Sequence, residues 1–466
     1  MLKKPSDKKG ETWRVGLADG RIVPLTLDNA VAKRKLALDD VIFVRVVEGK
    51  GKDKNKGARA ELRVRPTVQG TVVVLENKTG RVLAMAGGFS YPLSQLNRAT
   101  QSVRQPGSTI KPLSYLAALG SGLQPNTLVS DDPITLPPIG GKRTRDQDYW
   151  TPKNYDGSSG GTLTLRRALE NSRNLATVHL LEGGIEDSPE ASLDRLCRLA
   201  MEAQIYRECV HHYPFVLGAQ PVRPIDLAAF YAAIANEGLR PTPYLIDSIE
   251  RNGLIMYRHD PKSSAMIGSV DRTAFYQLKS MMQGVLARGT ARSIAHLAPY
   301  VAGKTGTSDE ENDAWFVGFS NEVTVAVWLG YDNAGGKRRT LGGGATGGGV
   351  AVPIFEPVMQ AVWANIAPKT TLALPSSEAK LQLSCKSVDH DSGERGGTEC
   401  FRINTKGKII DTQYRLISRK SAYAQQDDED REERPSRRFR HREYAQSRYS
   451  GRVRQYWNWG WPWRPW

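Results

Sequence analysis

The sequence predicts an α+β protein: one antiparallel sheet with helices packed on it, preceded by a small β domain. Three observations carry this. Strand-like runs occur at both ends of a central segment. Between them apolar residues recur at helical spacing, about every three to four positions. Ahead of the segment, residues 13–66 break into short apolar alternations separated by Gly, Asp and Lys clusters.

In chain order, Trp13–Leu17, Arg21–Leu27 and Val41–Val46 alternate as strands do, and Lys50–Gly57 reads as a solvated loop. Thr71–Leu75 and Arg81–Ala84 form a hairpin whose turn, Asn77–Gly80, ends on a glycine suited to positive φ. Helical spacing marks Thr109–Leu119, Thr164–Glu170, Leu175–Leu181, Leu193–Ala203, Pro224–Asn236 and Val270–Ala287. After Pro299 the pattern returns to strand at Val301–Thr307, Ala314–Phe319 and Val323–Leu329. Short turns such as Ser320–Glu322 favour antiparallel pairing. The expected domains are 1–66, small and β (OB-like); 67–365, the α+β body; and 366–425, a short appendage with strand signal at Lys408–Asp411. Residues 426–466 form an Arg/Trp-rich tail read as disordered.

The chain has 466 residues, 39% hydrophobic and 24% charged, which excludes a membrane bundle and a wholly disordered chain. Residues 1–12 lack the apolar core of a signal peptide, and no stretch approaches the roughly 18–20 apolar residues of a membrane span. The net charge of +16 sits largely at the two ends, so it says little about the middle of the chain. It allows the tail to attach to an anionic membrane surface or polymer, with Trp at the interface. No nucleic-acid recognition module accompanies the charge. No Cys or His pattern suits a metal, and nothing requires a cofactor. Cys385 and Cys400 bracket a polar loop and would pair in an oxidising compartment; Cys197 reads as a buried thiol in a helix.

Chemistry concentrates in three short motifs. Ser108-Thr-Ile-Lys111 opens a helical run that reads as amphipathic, so the hydroxyl and amine, three residues apart, share one face. A serine hydroxyl is a weak nucleophile, and a lysine serves as its base only once burial or a second cation makes its amine neutral. Lys304, on a strand, supplies that cation or attracts a substrate carboxylate. Helix-start N–H groups near Ser108 suit an oxyanion. In Lys304-Thr-Gly-Thr307, Gly306 lets an extended ligand approach the strand closely. Thr305 and Thr307 offer hydroxyls, and the Thr307 N–H a further donor. Ser172-Arg-Asn174 follows a helical run. Each motif alone is weak: S-x-x-K recurs at Ser6–Lys9 and Ser377–Lys380, and K-T-G at Lys78–Gly80. Their order, spacing and placement make the signal.

Together with RQPGSTIKPL at 104–113, YWTPKNYDG at 149–157, TLRRALENSRN at 164–174, AGKTGTSDEENDAWFVGF at 302–319 and the glycine run 342–349, these motifs resemble the transpeptidase module of class A penicillin-binding proteins, in the serine β-lactamase-like superfamily. The resemblance spans roughly residues 68–365. It implies Ser108 as acylated nucleophile, Lys111 as its base, Ser172 as proton relay and Asn174 as holder of the substrate amide. Lys304 with Thr305 and Thr307 would bind the terminal carboxylate; Gly306, Trp150 and Asn154 join the substrate-binding set. The implied partners are peptidoglycan stem peptides and β-lactams, on the periplasmic side. Arg173 stands where β-lactamases of the superfamily carry Asp, which favours the penicillin-binding side. The membrane helix and glycosyltransferase module of the family are not legible, so glycan polymerisation is not expected of this chain by itself. D,D-carboxypeptidation, β-lactam hydrolysis and a non-catalytic scaffold remain as alternatives. Gly157–Gly161 matches G-x-S-x-G but reads as a loop, and Gly342–Gly349, with no G-K-[ST] after it, as a hinge-like loop.

Overall fold

The computed structural model describes residues 2–3, 13–27, 36–48, 57–63, 66–140, 149–260, 263–332, 339–388 and 397–410. The expected tail at 426–466, most of the Lys50–Gly57 loop and Asp411 lie outside these residues.

A five-stranded antiparallel sheet organises the body, in the order Ala302–Thr307, Asp313–Phe319, Val323–Gly330, Gln69–Glu76, Val82–Ala86. The two ends of the segment thus meet in one sheet, as expected from the strand–helix–strand pattern. Its inner strands are buried on both faces, and their period of two sorts side chains into separate cores. Trp315, Val317, Phe319, Ala326 and Trp328 face one cluster with the main helices. Phe316, Val325 and Val327 face a second with Phe355 and Met359. Phe316 and Phe355 meet edge to face, ring centroids 4.7 Å apart. That geometry contributes about 0.5–1.5 kcal/mol beyond burial.

The helix Lys111–Gly120 corrects one expectation. It is not amphipathic: Lys111 through Leu119 are all buried. Apolar residues all round make it a central helix. Pro112 fits its first turn, where no intrahelical N–H donor is needed. Pro224–Ala235 is buried in the same way. The remaining helices of the body are Leu165–Glu170, Asn174–His179, Pro189–Glu202, Arg272–Ala287 and Val352–Asn365. Thr164, Ser188 and Asp271 cap three of them, each side chain accepting an N–H three residues on.

The N-terminal strands form a separate five-stranded sheet with a small core of Val15, Val23, Leu25, Leu27 and Ala60. Beyond the body, Leu383–Val388 and Gly397–Arg402 pair as an antiparallel hairpin. Cys385 lies opposite Cys400 in the register, and the two are disulfide-bonded. Ile409 adds an isolated bridge to Ile403 where strand signal was expected. Cys197 is not a free thiol: it is bonded to Cys209, 12 positions on. The segment after its helix turns back at Gln204, which has positive φ, and so returns the partner to the helix. No helix of the described residues is long and apolar enough to cross a membrane.

Candidate active site

Ser108 lies on a 3-10 turn, Gly107–Ile110, that runs directly into the central helix. In a 3-10 turn residues three apart eclipse one another, which puts Ser108 and Lys111 on one side. The turn is fixed from several directions. Tyr231 donates its hydroxyl to the Thr109 carbonyl (2.7 Å), and Trp315 donates Nε1 to the Gln105 carbonyl (2.9 Å). Gly107 has φ of +50° and lies so near the edge strand that a Cβ there would come within 2.5 Å of the Thr307 carbonyl. A Cβ on Gly306 would in turn approach the Pro106 carbonyl to 2.5 Å. These close approaches bring the first and third motifs together.

The second motif meets them through Lys111. Its Nζ donates to the Ser172 carbonyl (2.6 Å) and Asn174 Oδ1 (2.7 Å), and lies 3.5 Å from Ser172 Oγ. Lys111 and Lys304 are both fully buried. Burial first, then the charges of Lys304 and Arg173, hold the Lys111 amine well below the usual lysine range, with Asp131 opposing. Burial draws Lys304 down to about 7; its Nζ donates to the Thr305 carbonyl at 3.1 Å. Ser172 has φ of +58°, an uncommon conformation for a residue with a side chain. The arrangement can hold a neutral amine beside hydroxyls in a site poor in water.

The threonines of the third motif alternate away from Lys304. Thr305 Oγ1 bonds Thr290 Oγ1 at 2.6 Å, and Thr307 Oγ1 accepts the Gly347 N–H at 3.1 Å. A hydroxyl that accepts one bond keeps its own proton to donate. The strand is at the end of the sheet order, so among the described residues one edge has no strand partner there. The glycine run is not wholly a loop. Gly342, Gly343 and Gly344 have positive φ, but Gly347–Ala351 is helical, capped by Thr346.

Asn154, expected in the substrate-binding set, makes its contacts within the protein. It is buried, and its amide is engaged inside the protein. Nδ2 donates to both oxygens of Asp131 (3.1 Å each) and to the Ser158 carbonyl (2.8 Å). Oδ1 accepts the N–H groups of Asn174 (2.7 Å) and Leu175 (3.2 Å). Asn154 therefore positions Asn174. Trp150 is half-buried, stacks on Tyr213 and bridges to Leu136. The Gly157–Gly161 loop is anchored here too, the Gly160 N–H donating to Asp131 at 3.0 Å.

Asp131 is the residue that sequence reasoning missed. Fully buried, it accepts from Arg173 Nε (2.7 Å) and the Ala176 N–H (3.2 Å) as well as from Asn154 and Gly160. It ties the Ser172–Asn174 loop to two distant segments, and no local spacing marks it. Arg173, read as a sign of family, is the cation of this hub.

Comparison with known proteins places the chain in a family. The model of the penicillin binding protein transpeptidase domain matches residues 70–211 and 216–360, and the chain belongs to that family. Penicillin-binding protein 1A of Rickettsia bellii (strain RML369-C) is 33% identical over 394 residues, covering 80% of this chain and 46% of the relative. Penicillin-binding protein 1A of Neisseria gonorrhoeae is 36% identical over 312 residues, covering 66% and 37%. The chain thus spans less than half the length of these curated relatives. Among solved structures, penicillin-binding protein 1A from Haemophilus influenzae superposes with a TM-score of 0.69 at 24% identity, covering 88% of this chain and 63% of that one. The PonA1 protein from Mycobacterium tuberculosis in complex with penicillin V gives 0.55 at 23%, covering 67% and 82%. At these identities the likeness bears on the fold alone.

Proposed function

We propose that this chain is a D,D-transpeptidase that cross-links peptidoglycan stem peptides through a serine acyl-enzyme, acting on the cell-wall side of the membrane. The observation that supports it best is the fully buried Lys111 amine, held low in pKa and bonded to Ser172 and Asn174 one helical turn from Ser108.

The stem peptide pairs along the edge strand, its terminal carboxylate near Lys304, Thr305 and Thr307. The neutral Lys111 amine takes the Ser108 proton as Oγ attacks the carbonyl carbon of the penultimate D-Ala. Backbone N–H groups at Ser108 and Thr307 receive the oxyanion. Collapse breaks the peptide bond, and the terminal D-Ala leaves with a proton passed through Ser172. An amine of a neighbouring stem then attacks the acyl-enzyme, loses its proton to the same base and frees Ser108. Water in place of that amine gives carboxypeptidation. A β-lactam offers an equivalent acyl carbon in a strained ring and keeps its leaving group tethered, so Ser108 stays acylated.

Intact mass after incubation with penicillin, followed by peptide mapping, tests the reading. One adduct per chain is expected on the peptide carrying Ser108, and none in Ser108→Ala. Undiminished labelling of that variant would overturn it.

A further inference from the structure

The hairpin beyond the body is bound to three helices, each leading to or from a motif. Arg402 donates Nη2 to the Leu119 carbonyl (3.2 Å), near the end of the helix that begins at Lys111. Its guanidinium also pairs with Asp271 (2.7 and 2.9 Å), the cap of the helix Arg272–Ala287. Gln277 on that helix donates to the Cys400 carbonyl at 2.9 Å. The third tie is buried charge. Arg166, on the helix leading into Ser172, is bidentate to Glu399, Nε to Oε2 at 2.5 Å and Nη2 to Oε1 at 2.7 Å. Both residues are 2% exposed.

From Arg166 the contacts continue to two motifs. Arg166 also lies 3.6 Å from Glu170 and donates to Ser280 Oγ and its carbonyl. Glu170 has no exposure and accepts from Arg167 (3.0 Å) and Arg288 (2.6 Å). Its carbonyl accepts the Thr290 N–H at 3.2 Å, and Thr290 Oγ1 bonds Thr305 Oγ1 at 2.6 Å. Carbonyls of the same short helix hold the second motif: Leu169 accepts from Ser172 (3.1 Å) and Ala168 from Arg173 (2.9 Å). Gly284 gives Glu170 its space, since a Cβ there would come within 1.7 Å of Glu170 Oε1.

We propose that the disulfide-stapled C-terminal hairpin is part of the acyl-transfer scaffold, and that Glu399 on it is a positioning residue for the Ser172–Asn174 loop and Thr305. Without the Glu399 carboxylate the buried Arg166 guanidinium has Glu170 as its acid, and draws it from Arg288. The short helix then moves under Ser172. The staple matters because Cys385 pairs with the residue next to Glu399 and keeps the hairpin closed at that point. Displacements of about an ångström at a reacting group cost up to about a hundredfold in rate, so about tenfold is expected from this indirect one.

The inference rests on the proposed acyl-transfer reading, and one assay separates the two. The full chain is titrated with fluorescent penicillin, measuring both the labelled fraction at saturation and the second-order acylation rate constant. Absence of wild-type labelling at Ser108 would defeat the functional reading itself. With wild type labelled, Glu399→Gln is expected to reach one label per chain but about tenfold more slowly. A rate within twofold of wild type would overturn the proposal. So would a labelled fraction that falls while the rate per active molecule stays unchanged, because that pattern reports lost folding alone. Should E399Q give no folded protein, Arg402→Ala decides, since it loosens the same hairpin at a pair whose acid, Asp271, is partly exposed. Full labelling slowed several-fold supports the proposal, and full labelling at the wild-type rate sinks it.

Discussion

Two buried lysines impose opposite demands on pH. In the proposed mechanism Lys111 is a base that works when neutral, and its amine is held well below the usual range by burial and by the charges of Lys304 and Arg173. Acylation therefore rises as pH passes that lowered value. In the same proposal Lys304 attracts a carboxylate only while protonated, and burial brings it to about 7. Capture of a carboxylate-bearing donor therefore weakens above that pH. The second-order rate constant should trace a bell, rising limb from Lys111 and falling limb from Lys304. Lys304→Met should remove the falling limb and move the rising one to higher pH, because a like charge near Lys111 has gone. A variant profile identical in shape to wild type would contradict both assignments. Ser172 adds a backbone prediction. At φ of +58° a Cβ is strained by about 1 kcal/mol. Ser172→Gly should thus melt higher than Ser172→Ala, although both lack the relay hydroxyl and both should turn over poorly. Equal melting temperatures would show that the strain is absorbed elsewhere.

At the scale of elements, the site depends on backbone meeting backbone without side chains between. The Gly107–Ile110 turn and the Ala302–Thr307 strand approach so closely that Gly306→Ala would place a methyl 2.5 Å from the Pro106 carbonyl. Neither partner is a flexible side chain, so the turn or the strand must shift. Fluorescent-penicillin labelling of G306A is expected to slow by about a hundredfold, and labelling at the wild-type rate would show that the approach is not needed. This dependence was legible in part. Gly306 was singled out from sequence as a place for close approach, but the neighbour was taken to be a ligand, whereas the Ser108 turn also occupies that space. The sheet strands were legible because alternation and β-branched residues are local. The central helix was misjudged as amphipathic because a chain does not announce how many neighbours will surround it. Asp131 escaped altogether, and the internal bonding of Asn154 was not foreseen, for a related reason. Their bonds to each other and to the Ser172–Asn174 segment span 20 or more positions, so their meaning appears only when loops converge on that segment.

Across the whole molecule, the two disulfides stand in different relations to the site. Cys385–Cys400 closes a hairpin whose buried glutamate bears on the second motif. Cys197–Cys209 joins the helix Pro189–Glu202 to the segment that follows it, closing a short loop of separation 12. Sequence reading took Cys197 for a buried thiol because it lies in a helical pattern, whereas a turn after a helix end can return a cysteine to the same helix. A cross-link of this length acts chiefly by restricting the unfolded chain, for about 3 kcal/mol. Replacing Cys197 and Cys209 together by Ala should therefore lower the unfolding free energy by about that amount, read as a lower urea midpoint with the slope nearly unchanged. In native buffer the variant should still acylate at the wild-type rate, since the constraint is felt mainly by the state that does no chemistry. A variant of normal stability would remove the entropic argument. A variant of lowered stability that also acylates slowly while fully folded would place this loop, like the hairpin, within the scaffold of the site.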